Sequence, residues 1–169
     1  DPSLAHELHG IVQQGIREFP GFLYHMMTLD LQCRAPIGFM GRFLVEKSGE
    51  LAGQLSLKNG GSIFIVDCVR MFCLELERSE LPTLERLKVL VEHNVFDATT
   101  AEHVRAAFEA LVYLRLRNEI ALVEQGREPS HYLDPQALPR NEQELLKGAL
   151  HAVKKLQDAA RRHFAKTPF

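Results

Sequence analysis

The chain has 169 residues, 46% of them apolar and 25% charged, and carries a formal net charge of −2. That length suits one domain whose core removes roughly two-thirds of the unfolded surface from water. The slightly acidic balance speaks against a dedicated nucleic-acid binder, and no apolar run nears the ~20 residues that a membrane span needs.

No signal-peptide pattern opens the chain, which starts at Asp1 rather than Met. We therefore expect a cytoplasmic piece of a longer protein. Its three cysteines, Cys33, Cys68 and Cys73, are too few and too odd in number for a disulfide framework. They read as small core hydrophobes in a reducing compartment.

Most of the chain has helical periodicity. Ser3 is placed to cap a helix running to about Phe19, which Pro20-Gly21 then breaks. A second helix is expected over 22–31. Pro36, Gly38 and Gly41 mark a loop. Two short runs, 42–46 and 51–57, flank Lys47-Ser48-Gly49-Glu50 and predict a small hairpin.

Residues 62–78 are apolar almost all round, as befits a helix at the centre of a bundle. A helix follows from Thr83 to near Asn94. Thr99 and Glu102 have capping-box spacing at the head of a long helix that ends before Gly126. A proline-rich loop leads to a last helix from about Arg140 to Ala165. Its stripe is Leu146, Ala149, Val153, Leu156, Ala160 and Phe164. The expected fold class is all-α, an antiparallel helical bundle with one small β-hairpin.

The long helix carries an anomaly. Its apolar stripe reads Val104, Phe108, Leu111, Arg115, Asn118, Leu122 in steps of three and four, so one Arg and one Asn interrupt a core face. A charge there needs a carboxylate partner or a wet cleft. Both a structural ion pair and an anion-binding cleft satisfy that demand, and the planar fork of Arg suits carboxylate and phosphate.

Asp67 and Arg70, three apart on the central helix, either pair to orient it or serve a site. Lys58 precedes Asn59-Gly60-Gly61 and a helix start. It is either an exposed turn lysine or an anion ligand. We expect Arg115 and Asn118 to share one partly buried cleft, with Arg70 or Lys58 in reach and Asp67 or Glu119 balancing the charge.

Three other patterns lack what their chemistry requires. Gly60-Gly61-Ser62 followed by Asp67 echoes a nucleotidyltransferase active site, but Val69 stands where the second metal-binding carboxylate is needed. His6-Glu7-Leu8-His9 lacks the four-residue histidine spacing of zinc proteases. Gly10 to Gly15 has phosphate-loop spacing but is followed by Ile16 and Arg17. The basic last helix, with Lys154, Lys155, Arg161, Arg162 and Lys166 against Asp158, reads as a solvated face or as a docking surface for an acidic partner domain.

The stretch Arg34 to Arg70, RAPIGFMGRFLVEKSGELAGQLSLKNGGSIFIVDCVR, resembles the signature that opens the helical substrate-binding domain of nucleotidyltransferases, the DUF294 C-terminal domain family. TLERL from Thr83 and the block from Leu111 to Gln157 continue the likeness, which spans about Ile37 to Phe164. Residues 1–36 look like lead-in helices, and 37–169 like the family core.

The resemblance implies a single domain that binds the acceptor and closes the cleft of a signalling nucleotidyltransferase. It implies no catalysis by the domain alone and no cofactor in it, with Mg and a nucleoside triphosphate held by the catalytic domain of the same bacterial chain. That domain, cyclic-nucleotide-binding and CBS modules, an acceptor protein or small molecule, and a second copy are the implied partners; nucleic acid and membrane are not. Lys58, Arg70, Arg86, Arg115 and Asn118 are the implied substrate-binding residues. Two positions depart from the family pattern: Ser56 replaces an Asp ahead of Leu57-Lys58, and Glu119 replaces a Gln. The alternative is a helical interaction module that mediates dimers or couples to sensor domains.

Overall fold

The computed structural model describes residues 2–19 and 21–165, without the side chains of Pro2, Ser3 and His6. The expected Ser3 cap, the break at Pro20, His6 and Lys166 thus lie outside what is described. Six α-helices stand among the described residues: α1 (Pro2–Glu18), α2 (Phe22–Asp30), α3 (Ile63–Glu75), α4 (Thr83–Glu92), α5 (Ala98–Glu124) and α6 (Arg140–Phe164). They form the expected all-α bundle. None of them is long and apolar enough to cross a membrane.

Helix α3 is the central rod. Phe64, Ile65, Cys68, Val69, Met71, Phe72 and Cys73 are all buried on it, and it packs against α2, α4 and α6. The α6 stripe read from sequence is buried throughout, and Phe164 and Phe96 close on Phe72 at ring-centroid distances of 4.9 and 5.1 Å. Helix α5 lies along α6. Cys33 departs from the expectation. It is exposed in the loop after α2, while Cys68 and Cys73 are core residues.

The start of α5 also differs. Asp97 is the N-cap, its carboxylate accepting from Thr100 N at 2.8 Å and Thr100 Oγ1 at 2.7 Å. An aspartate two residues upstream takes the donors that a Thr99–Glu102 box would have used, and Glu102 pairs with Arg105 instead.

The two-stranded element is present, but only one strand comes from the expected hairpin. β1 (Leu55–Ser56) pairs antiparallel with β2 (Tyr132–Leu133), from the loop before α6. The 46–54 segment does close on itself through Glu46 N–H to Gln54 O (2.8 Å) and Gly53 N–H to Glu46 O (2.9 Å). Burial decides which pairing forms the ladder. Leu55, Leu57 and Leu133 all sink into the core beside it, whereas residues 46–50 are exposed.

Candidate functional site

The loop after α2 and the turn before α3 form one packed unit. Residues 58–62 make a single wide π-helical turn at the head of α3, a geometry that recurs at functional sites. A Cβ on Gly60 would meet Pro36 Cδ at 2.6 Å, and one on Gly61 would meet both Leu111 methyls at 3.1 Å. Only glycine lets the turn lie this close to the proline loop and to α5. The loop is further held by α6. Gln157, buried, donates from Nε2 to Cys33 O at 2.8 Å and accepts at Oε1 from Ala35 N–H at 3.2 Å.

On this rigid base the chain exposes Phe39 and Met40, each at 89% of its full surface. Met40 has φ 54°, a left-handed conformation that costs a side-chain-bearing residue on the order of 1 kcal/mol. Lys58 is exposed on the same unit, with no ion pair among the described residues.

A second polar group spans α2, α3 and α4. Arg70 donates to Asp67 Oδ1 at 2.7 Å. Asp30, the last residue of α2, adjoins this pair. Its carboxyl is pushed up to about 6, first by burial and then by the charge of Asp67, with Arg70 pulling the other way. Arg86 on α4 is buried, donates from Nε to Glu80 O at 2.7 Å, and is lowered by burial and by the neighbouring charge of Arg70. Arg70 and Arg86 are thus brought together, beside two carboxylates.

The anomaly on α5 resolves into two separate arrangements. Asn118 spends its amide on the chain, donating from Nδ2 to Ser130 O and Tyr132 O, both at 2.9 Å, and so ties β2 to α5. Arg115 lies beside Glu119, one turn along its own helix, at 3.7 Å from Nε. That is too long for a hydrogen bond, and the buried Nε has no other partner. Of the five candidate residues, Arg70 is balanced by Asp67 and stands near Arg86, Arg115 has Glu119 beside it, and the turn that carries Lys58 packs on α5 where Gly61 meets Leu111.

The large concavity lies elsewhere. A groove of about 1250 Å³ runs between α5 and α6, and none of the five lines it. Its floor is small and apolar, with Ala107, Ala110, Ala149 and Ala152, and Lys155, Arg162, His103 and His151 stand on its rim. A Cβ on Gly41 would lie 3.7 Å from His151 Nε2, so the Phe39–Met40 loop borders the groove. Sequence reasoning missed Asp30, Gln157 and the groove. For Gln157 a signal existed, a polar residue flanking the α6 stripe. Among the described residues no group of three or more His, Cys, Asp or Glu is arranged to hold a metal ion.

No curated protein and no solved structure matches the chain. A family model described as "Putative nucleotidyltransferase substrate binding domain" matches residues 20–164, which takes in the Pro36–Gly60 unit, the polar groups of α2 to α5 and all of α6, and the chain belongs to that family.

Proposed function

We propose that this domain holds the acceptor of a nucleotidyl transfer and closes over a catalytic domain of the same protein, which binds the triphosphate and Mg. The observation that supports this reading is the Phe39–Met40 loop. Two large apolar side chains at 89% exposure, one on left-handed backbone, are costly to display on an isolated domain. They sit on a base fixed by Pro36, Gly60 and Gln157. A fixed apolar tip of this kind is suited to press against a second domain and expel water from the site between them.

Water exclusion matters for this chemistry. Phosphoryl transfer relies on positioning and electrostatic stabilisation, and a closed site keeps water from competing with the acceptor. Lys58 stands on the same unit, an exposed cation with no ion pair among the described residues, placed for an anionic group of acceptor or nucleotide. Arg86, Arg115 and Asn118 serve this reading as scaffold, and Arg70 as the half-exposed partner of Asp67.

The test uses the protein with its catalytic domain attached. Phe39→Ser with Met40→Ser should lower kcat for nucleotidyl transfer at least tenfold without lowering Tm. Lys58→Ala should raise KM with little effect on kcat. Unchanged transfer in both variants overturns the reading.

A further inference from the structure

We propose that the groove between α5 and α6 receives helix α1 of a second copy of this chain. The inference stands apart from the transfer reading, since it concerns assembly and a different surface.

Two features of the fold are each incomplete alone. The first is the groove, about 1250 Å³ with an apolar floor open to solvent. The second is α1, a helix of 17 residues whose apolar stripe faces water. Leu4, Leu8 and Ile11 are 64, 63 and 61% exposed, and Phe19 just beyond the helix is 68% exposed. In steps of four, three and eight these four residues share one face. The opposite face carries buried Gln13 and half-buried Ile16, and Arg17 bonds Glu77 at 2.9 Å. So α1 is anchored to its own body by one face and presents the other outward. A lone helix of this length is marginal in water without a partner for its apolar face.

The two features match in length, shape and charge. The α6 side of the groove runs from Glu144 to His163, about 28 Å at the helical rise, and α1 is about 26 Å long. The large side chains of α1 meet a floor of alanines, so the surfaces fit as large into small.

The charges are the more specific observation. Every acidic side chain lining the groove has a partner within the domain: Asp97 caps α5, Glu144 bonds Lys147, and Asp158 faces Arg161. Lys155 and Arg162 on the rim have none among the described residues. They stand seven residues apart on one edge of α6. On α1, Glu7 and Glu18 are eleven residues apart, which returns them to nearly the same angle at 100° per residue, along one edge of the apolar stripe. Neither has an ion pair among the described residues, and Glu18 accepts only from Gln14. An apolar helix with an acidic edge is what this groove lacks, and the chain carries one. Reciprocal seating of two helices in two grooves gives a closed two-fold dimer.

The test is sedimentation equilibrium of the 169-residue chain from 1 to 100 µM, with circular dichroism to confirm that each variant is folded. A dimer is expected. Leu8→Glu with Ile11→Glu in α1, and separately Lys155→Glu with Arg162→Glu on the rim, should each raise the dimer Kd at least tenfold. Combining the rim reversal with Glu7→Lys and Glu18→Lys should restore most of the affinity. A chain that stays monomeric at 100 µM overturns the proposal. So does a dimer weakened by the α1 changes and not by the rim changes, which would mean that α1 pairs with α1. So does the converse, or a charge-swapped variant that regains nothing.

Discussion

Gly60 lies against Pro36 so closely that a Cβ on the glycine would come within 2.6 Å of the proline Cδ. A proline ring on a fixed φ cannot swing aside, so the extra methyl must push the two segments apart. Gly60→Ala is expected to cost about 1–3 kcal/mol, as overpacked sites do. Thermal unfolding would read this as a fall of roughly 2–4 °C per kcal/mol at this chain length. Gly148→Ala is the control. Nothing lies within 4 Å of its Cβ position on α6, and alanine there should stabilise by about 0.5–1 kcal/mol. Equal Tm values for the two variants would remove the packing argument for the Pro36–Gly60 unit.

Asn118 is, among the described residues, the one side chain that donates to the Ser130 and Tyr132 carbonyls. Asn118→Leu keeps the branched four-atom skeleton and removes both bonds. The cost should be about 1–3 kcal/mol, that of leaving partly buried carbonyls unsatisfied. Amide exchange should quicken first at Leu57, whose N–H bonds His131 O at 3.0 Å in the same ladder. Unaltered exchange there would show that β2 is held by other contacts.

Arg115 should tolerate change. Its side chain keeps 26% of its surface, and its ion pair with Glu119 is long and lies within one helix. Such pairs contribute about 0.3–0.5 kcal/mol, and an Arg that precedes its Glu is the weaker order. Arg115→Met keeps the apolar stem and removes a buried Nε with no hydrogen bond. Urea unfolding should show a change within about 0.5 kcal/mol. A loss near the 3–5 kcal/mol of a broken buried pair would mean that Arg115 carries a structural load the geometry does not show.

The helices were legible because their apolar periodicities are long and local. The α6 stripe needed no tertiary information, and Leu146 through Phe164 are buried as the spacing says. Apart from the α5 cap, where Asp97 took the place of a Thr99–Glu102 box, the features that sequence reasoning missed depend on distant partners. β1 and β2 are two residues each and lie far apart in sequence, too short for alternation to be seen. The Arg115–Asn118 interruption was correctly found to be odd, yet its explanation lay in two backbone carbonyls of a loop, which no side-chain pattern encodes. Nothing in the sequence around Asp30 marks it out. Its neighbours Asp67 and Arg70 come from α3, and only the packing of α2 on α3 makes it unusual. The groove likewise exists only once α5 and α6 lie side by side.

The thiols should separate into two classes. Cys33 is exposed, whereas Cys68 and Cys73 are buried. Burial pushes the Cys73 thiol up to about 11 and that of Cys68 well above its ordinary value. Fewer thiolates and less access both slow attack. An aromatic disulfide reagent at pH 8 should thus titrate one thiol fast and the other two only on unfolding. Cys33→Ser should abolish the fast phase, and a fast phase that survives it would place a core cysteine at the surface.

Asp30 makes stability depend on pH in a direction opposite to most native carboxylates. Its folded value is about 6, raised from 3.8 by burial first and by Asp67 second, against the pull of Arg70. Between those two values the folded chain holds a proton that the unfolded chain has released. The unfolded state then binds fewer protons, so stability falls as pH rises from about 4 to about 6 and stays lower above that. Asp30→Asn keeps the shape and never ionises. It should match the wild type near pH 4 and exceed it at pH 7.5. Because the group is only half-buried, solvent screening discounts the full shift, and about 1 kcal/mol is expected. Other carboxylates titrate over the same range, so the informative quantity is the difference between variant and wild type at each pH. A variant whose advantage is the same at pH 4 and pH 7.5 would show that Asp30 does not hold its proton in the folded state.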